Sequence, residues 1–305
     1  MPSLSFKKEV EVRVVYGTTP TRYKIDVTEI EFGQSFQEKS YEVKTLHNQS
    51  SFEGSVINRA NPAEFSLSFY LLKEDKHRVL FDRLLDSAQF DIYISNPGGV
   101  PLGALPNPIP DQVWKLENCV IQDGNFEINK SRPLRLSISG EATKLSKFSE
   151  TIPGSEPAAT TSTYIVPTLS TLTLGSDDIS GSVIGVNVEL QNDIKWNKYD
   201  TLQGAAAVTD VATTMYPSTF SKGKQVLGGS IQKYLIEGST SVLTWNQDTS
   251  LRLKVGNGTQ GLDFNISNCS FTNRMSAGGI FGEEYNWRMT QRPTALSSVI
   301  TYTTA

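Results

Sequence analysis

Residues 61–95 read NPAEFSLSFYLLKEDKHRVLFDRLLDSAQFDIYIS, a stretch in which strand, helix and strand periodicities succeed one another. Phe65, Leu67 and Phe69 alternate with Ser66, Ser68 and Tyr70, the two-residue period of a strand with one dry face. In KEDKHRVLFDRLLDS, Leu80 and Leu84 lie four apart with Phe81 and Leu85 beside them, which is helical spacing. One helix of about three turns is predicted. Phe90, Ile92 and Ile94 then return to alternation.

Outward from this stretch the chain is strand-like. Val10 to Val15 opens the series, and Leu134, Leu136 and Ile138 alternate near its middle. Ile25 and Val27 give way to Ile30 and Phe32, and the switch of parity between them predicts a bulge. The segment SETIPGSEPAATTST, between Phe148 and Thr163, has no periodicity and reads as a linker. Pro97 to Pro110 reads as a long surface loop within the first half.

At 305 residues the chain is about twice the usual single-domain length. Self-comparison explains why. Ile30, Glu31 and Phe32 find counterparts in Val188, Glu189 and Leu190, and Ser40-Tyr41-Glu42 in Lys198-Tyr199-Asp200. Ser66-Leu67 and Tyr70-Leu71-Leu72 match Ser230-Ile231 and Tyr234-Leu235-Ile236, and Val79-Leu80 matches Val242-Leu243. Phe90, Ile92 and Ile94 match Leu251, Leu253 and Val255. Asn118-Cys119 matches Asn268-Cys269, and Leu134, Leu136 and Ile138 match Tyr285, Trp287 and Met289. The matches keep one order, strand to strand and helix to helix. A duplicated domain is expected: 1–147, a linker 148–163, 164–293, and a tail 294–305. Two such domains are either independent sandwiches or neighbours in a ring, depending on what covers their sheet edges.

The order of a bulged strand ending in EIEFGQ, a long excursion, FSLSFYLL, HRVLFDRLL, FDIYIS and PLRLSISG resembles the tail tube domain of tailed bacteriophages, most closely its duplicated form in some long-tailed siphophages. The resemblance spans about residues 9–146 and again 164–292 and lies in element order. It implies a mainly β fold with one short helix per domain, two tandem sandwich or barrel-like domains giving strands to a shared inner barrel. It implies homotrimeric, pseudo-hexameric rings stacked into a hollow virion tail tube, made in the host cytoplasm, with tail tip, terminator and tape measure proteins as partners. Genomic DNA would pass without specific binding. A tube-initiating baseplate ring is the alternative within the same fold, and a glycan-binding double β-domain, with Trp114, Trp196, Trp245 and Trp287 as candidate platforms, the alternative outside it.

Transit sets a charge requirement. Each Lys or Arg on a phosphate adds salt-dependent affinity, so a lumen wall should be neutral to acidic. A net charge of -4 already argues against a large cationic surface. Asp26, Glu29 and Glu31, with Glu189 and Asp193 in the second copy, are the candidate lining, while Arg135 and Arg288 oppose it unless paired. The excursions Gln34 to Glu64 and Gln191 to Gly228 are the candidate ring-stacking elements, through Tyr41, Val43, Leu46, Phe52 and Tyr199.

Catalytic chemistry finds no support. Gly256-Asn257-Gly258-Thr259-Gln260-Gly261 spells G-x-G-x-x-G, yet Leu262 to Ile266 continues as a strand, so no helix N-terminus faces a pyrophosphate. A hairpin turn is expected there. With two cysteines and two histidines, His47 and His77, neither a structural zinc nor a Cys/His catalytic site is expected, and no cofactor. Cys119 and Cys269 are expected as small buried core residues. No secretory leader is read in MPSLSFKKEVEV.

Overall fold

A computed structural model of the chain describes residues 10–43, 52–95, 113–129, 132–157, 163–166, 168–197, 215–235, 245–256, 260–277 and 280–304. The first half runs β1 Glu11–Tyr16, β2 Thr21–Ile25, β3 Val27–Gly33, β4 Phe36–Val43, β5 Phe52–Ala60, β6 Ala63–Tyr70, a 3-10 turn Asp75–His77, α1 Arg78–Asp86, β7 Phe90–Ser95, β8 Val113–Asn129, β9 Arg135–Ala142 and β10 Lys144–Phe148. The second runs β11 Thr168–Leu174, β12 Asp177–Asp178, β13 Val183–Trp196, β14 Phe220–Tyr234, β15 Trp245–Gly256, β16 Gly261–Ala277, β17 Phe281–Met289 and β18 Ile300–Thr303.

The described strands make one antiparallel sheet of 16 strands and a separate pair, β4–β5. β8 and β16, at 17 residues each, are its spines. The first part of β8 pairs with β7 and β10, and its last part with β9 and β13. Likewise the first part of β16 pairs with β15 and β18, and its last part with β17. A register shift falls where each spine changes partners: Phe90 faces Cys119 but Ile92 faces Leu116, and Thr249 faces Cys269 but Leu251 faces Ile266. The extra residues bend the strand from one layer into the other. Asn118 takes φ 52 at that bend, a left-handed conformation that Asn tolerates better than most side chains.

The expected parity switch is present as a break at Asp26 between β2 and β3, followed by a register shift between Val27 and Glu29. The helix forms as its spacing predicts, with Val79, Leu80, Phe81, Leu84 and Leu85 buried. It stops where Ser87, at φ 50, returns its N–H to the Arg83 carbonyl. Leu84 lies over Gly124, where a Cβ would come within 2.4 Å of its methyl carbon. Phe81 meets Phe126 and Tyr302 edge-on. The match expected for the helix in the second half, Val242-Leu243, lies outside the described residues, as does the loop Pro97 to Pro110; where the rest of a second helix would follow, the chain is already strand β15 from Trp245.

One core runs through both halves, with Phe126 against Phe264 at 5.5 Å. Residues of the expected linker and tail are buried too. Ile152 packs beside Val15, Tyr93 and Val113 in a separate small cluster, and Glu156 pairs with the buried Arg13 at 3.2 Å. Ile165 bridges Leu71 and Leu134 through backbone hydrogen bonds. Residues 300–303, expected as a free tail, form β18 on β16, and the Tyr302 hydroxyl donates to the Leu72 carbonyl. The expected barrel is not closed by a single chain: among the described residues β3 pairs with β6 alone, which leaves the sheet open there.

Candidate functional site: an acidic, concave sheet face

Eight strands follow one another without a break, β3–β6–β9–β8–β13–β14–β17–β16. One face of this run is dry. Ile30, Leu67, Ile138, Phe126, Val188, Ile231 and Trp287 are all under 10% exposed on it. Strand alternation then sends the intervening residues to the other face, where the cross-strand rows can be followed through the sheet. One row reads Glu29, Ser68, Ser137, Asn125, Glu189, Gly228, Arg288, Ser270, and the next continues Tyr70, Arg135, Glu127, Asn187, Ser230, Asn286, Thr272. A third begins Glu31, Ser66, Ser139, Asp123, Gln191, and beyond it Glu64 faces Glu141. Open hollows of about 360 and 470 Å³ lie on this face, one lined by Ser68 and Glu189, the other by Glu31 and Glu141.

The composition of that face is short hydroxyls, amides and carboxylates. Arg135, in its middle, is held by Glu29 at 2.7 Å and by Glu127 at 3.7 Å. Arg274 sits directly opposite Glu284 across the β16–β17 pair. Arg288 is exposed and has no ion-pair partner among the described residues. Partial burial, and next to it the charge of Glu189, raise the Asp123 carboxyl above its usual range against the opposing Ser139 hydrogen bond.

The predicted lining residues divide. Glu29, Glu31 and Glu189 share this face and Asp193 keeps the exposed side of β13 that Glu189 and Gln191 occupy, whereas Asp26 lies off it. Asp26 sits at the crossing between β2 and β3, its carboxylate 2.6 Å from Lys76. Its N–H donates to Nε2 of the buried His77, whose Nδ1 is 2.7 Å from the Tyr70 carbonyl oxygen. His77 is thus a neutral core group whose imidazole burial pushes down to about 4, not a base in a cleft. Asp193 falls beside a register shift between Asn192 and Ile194 and lines the cleft at the C-terminal end of α1. Sequence reasoning missed Glu64, Asp123, Glu127, Glu141 and Glu284. Only the cross-strand partners give their parity away.

Among the stacking candidates, Tyr41 and Val43 are 52% and 46% exposed on the β4–β5 hairpin, which has its own two-stranded sheet. Tyr41 lies across Gly54, directly opposite, where a Cβ would come within 2.6 Å of the ring. Leu46 and Tyr199 lie outside the described residues, as does the side chain of Phe52. Trp196 and Trp287 are buried and Trp114 is half-buried, tilted against Phe32, so these three offer no exposed glycan platform. Gly256 pairs with Gly261 at the mouth of a β15–β16 hairpin, so the glycine-rich spelling marks a turn between strands. Both cysteines are free and buried.

A model of the Bacteriophage Baseplate Tube Protein Family matches residues 3–303. The chain belongs to that family. As a baseplate tube family protein it is a structural, non-enzymatic component of the phage tail and baseplate in the virion. No curated protein matches it. The expectation of a subunit repeated along the tail shaft gives way here: the family is that of the tube of the baseplate, the reading held as the alternative. Membership implies assembly with other tail proteins.

Proposed function

We propose that the chain is two tube domains in tandem, 1–147 and 164–293, and that three chains close into a pseudo-hexameric ring at the baseplate end of the tail tube. The acidic face lines its channel, and genomic DNA passes without specific binding. The observation that carries this reading is the eight-strand run with one dry face and one acidic face.

Pairing order supports the tandem reading. β1–β2, β1–β7, β7–β8, β8–β9, β6–β9, β3–β6 and β8–β10 have counterparts in β11–β12, β11–β15, β15–β16, β16–β17, β14–β17, β13–β14 and β16–β18. Irregularities recur as well. The shift at Val27/Glu29 corresponds to that at Val183/Gly185, and the Cys119 bend to the Cys269 bend. Each half gives four strands to the acidic face. Six halves then give a barrel roughly 40 to 50 Å across its backbone, at about 4.8 Å per strand and about 40° tilt. Duplex DNA fits that bore.

The β4–β5 hairpin, with exposed Phe36, Tyr41, Val43 and Ile57, is the element we assign to contact along the tube axis. Electron microscopy of the purified protein across a concentration series tests the assembly: three-chain rings are expected, and a persistent monomer refutes it. Copy number in purified virions separates a baseplate ring from a shaft subunit. A few rings per tail are expected, and abundance comparable to the major tube protein overturns the placement.

A further inference from the structure

Inside one chain the halves are joined by β8 lying antiparallel to β13, with Asn125 opposite Glu189, Phe126 opposite Val188 and Ile128 opposite Val186. The apolar groups at this joint are covered. Phe126 is 1% exposed and meets Phe264 edge-on. Leu134, just after the β8–β9 hairpin, is also 1% exposed, and its N–H donates to the carbonyl of Ile165 in the segment that leads into β11.

The far end of the second half carries the same parts uncovered. Leu71 N–H donates to the Leu134 carbonyl as Leu235 N–H does to that of Phe281, which sets Phe281 in the place of Leu134. Gly124 faces Ile138 as Asn273 faces Tyr285, which sets Met275 in the place of Phe126. Yet Met275, Ile280 and Phe281 are 55%, 68% and 58% exposed. Both strand edges involved are open among the described residues: β16 beyond Thr272 pairs with β17 alone, and β3 with β6 alone. An exposed apolar patch beside an unpaired edge marks an interaction site.

We propose that a second copy of the chain covers this end, its β3 running antiparallel along β16 with Phe32 opposite Met275, Gly33 opposite Arg274 and Glu31 opposite Ser276. The proposal rests on the tandem-domain reading, and its register follows from the joint inside the chain. β3 stands to β6 as β13 stands to β14: Ile30 faces Leu67, and Val186 faces Ile231. Transferring the β8–β13 pairing by these correspondences gives one register. It satisfies both faces at once. On the dry side Met275 meets Phe32 and the Trp114 ring packed on it, as Phe126 meets Phe264. On the acidic side Arg274 comes diagonally beside Glu31. Since the two edges differ, the contact is head-to-tail and repeats from copy to copy until it closes.

Cysteine pairing tests the register. At Gly33 an added Cβ meets nothing within 4 Å, and the native cysteines are buried. The chain carrying Gly33→Cys and Arg274→Cys is expected to form interchain disulfides under mild oxidation. Glu29→Cys with Arg274→Cys, displaced by four residues or about 13 Å, is expected to form none. Asn125→Cys with Glu189→Cys serves as the intrachain control. A closed three-chain product supports both this contact and the ring. An open ladder running past three supports the contact and refutes the three-chain ring. Rings in the microscope without cross-linking of Gly33→Cys/Arg274→Cys, equal yield from the displaced pair, or a protein that stays monomeric and unlinked, each overturns the contact. As a second measurement, Met275→Ser with Phe281→Ser is expected to weaken self-association about tenfold or more. Unchanged self-association, or retained binding of a different tail protein to this patch in place of a second copy, refutes the assignment.

Discussion

The second half holds a buried ion pair where the first is apolar, and exchanging one for the other measures how alike the halves are. Lys233 Nζ lies 2.8 Å from Glu283 Oε2, with the two side chains 5% and 0% exposed. The Tyr285 hydroxyl donates to the same carboxylate oxygen, and Lys233 lies over the Tyr285 ring. Burial lowers the affinity of Lys233 for its proton, but the Glu283 hydrogen bond and Tyr285 outweigh it, so the ammonium is held above its usual value. The two residues are directly opposed across β14 and β17, as Phe69 and Leu136, both fully buried, are across β6 and β9. Lys233→Phe alone strands a buried carboxylate and is expected to cost about 3–5 kcal/mol, as is Glu283→Leu alone. Lys233→Phe with Glu283→Leu transplants the apolar pair. It is expected to fall within about 1 kcal/mol of the parent after the loss of one Tyr285 hydrogen bond. Urea unfolding of the four proteins gives the cycle, with unchanged slopes as the check that all unfold alike. A double variant as unstable as either single one refutes the equivalence of the two sites. Single variants costing under about 1 kcal/mol refute the dryness of the pair.

His77 gives the fold a pH dependence: because its native pKa, about 4, is depressed below the unfolded value, the unfolded chain binds the extra proton. The stability it contributes is full above about pH 6.5 and is lost as pH falls towards 4, by about 3 kcal/mol, and unfolding of His77→Phe should lack that slope. Gly140→Ala places a Cβ 2.2 Å from the Val120 carbonyl oxygen and 2.7 Å from the Phe65 ring, and should cost more than about 2 kcal/mol in urea unfolding. Glu29→Lys with Glu31→Lys and Glu189→Lys should turn a ring indifferent to duplex DNA into one that retains it with steep salt dependence. Triple-variant rings that still ignore DNA show that this face is not the channel wall.

Alternation and helical spacing in residues 61–95 marked β6, α1 and β7 because the apolar set of each packs against the same core, β7 burying Tyr93 on its other side as well. The Asn-Cys pairs were legible for a related reason: Cys119 and Cys269 sit at the bends where β8 and β16 change layers, positions that admit a small buried side chain. What could not be read was register. The shift at Val27/Glu29 separates Asp26 from Glu29 and Glu31. Residues 113–129 hide their alternation because the bend at Asn118 and the shift at Ile121/Asp123 each reset parity, so Asp123 and Glu127 did not declare themselves. The match of Glu31 with Glu189 also yields to pairing: Glu31 faces Ser66 as Asn187 faces Ser230. The match of Leu134, Leu136 and Ile138 with Tyr285, Trp287 and Met289 shifts likewise, by four, since Gly124 faces Ile138 as Asn273 faces Tyr285. Matches within alternating strands drift by even numbers of positions at no cost in apolar pattern. The burial of residues within 152–165 and 300–303 was invisible because isolated residues such as Ile152, Ile165 and Tyr302 carry no period.

On the proposed reading, fusing two tube domains would change what a ring must do to assemble. Half of its joints, the β8–β13 kind, would form within a chain at the high effective concentration a covalent connection imposes, and here the connection is itself fastened through Ile152, Glu156 and Ile165. Only the proposed β16–β3 joints would remain bimolecular. On that reading the fused halves would be free to diverge, as Phe126 against Met275, Leu134 against Phe281, and Phe69 and Leu136 against Lys233 and Glu283 would illustrate. A ring of three such chains would present a near-sixfold acidic channel to DNA, to which small differences matter little, and a threefold outer and axial surface to its protein neighbours, to which they matter a great deal. That combination suits a ring that meets the regular tube on one side and the specialised proteins of a baseplate on the other.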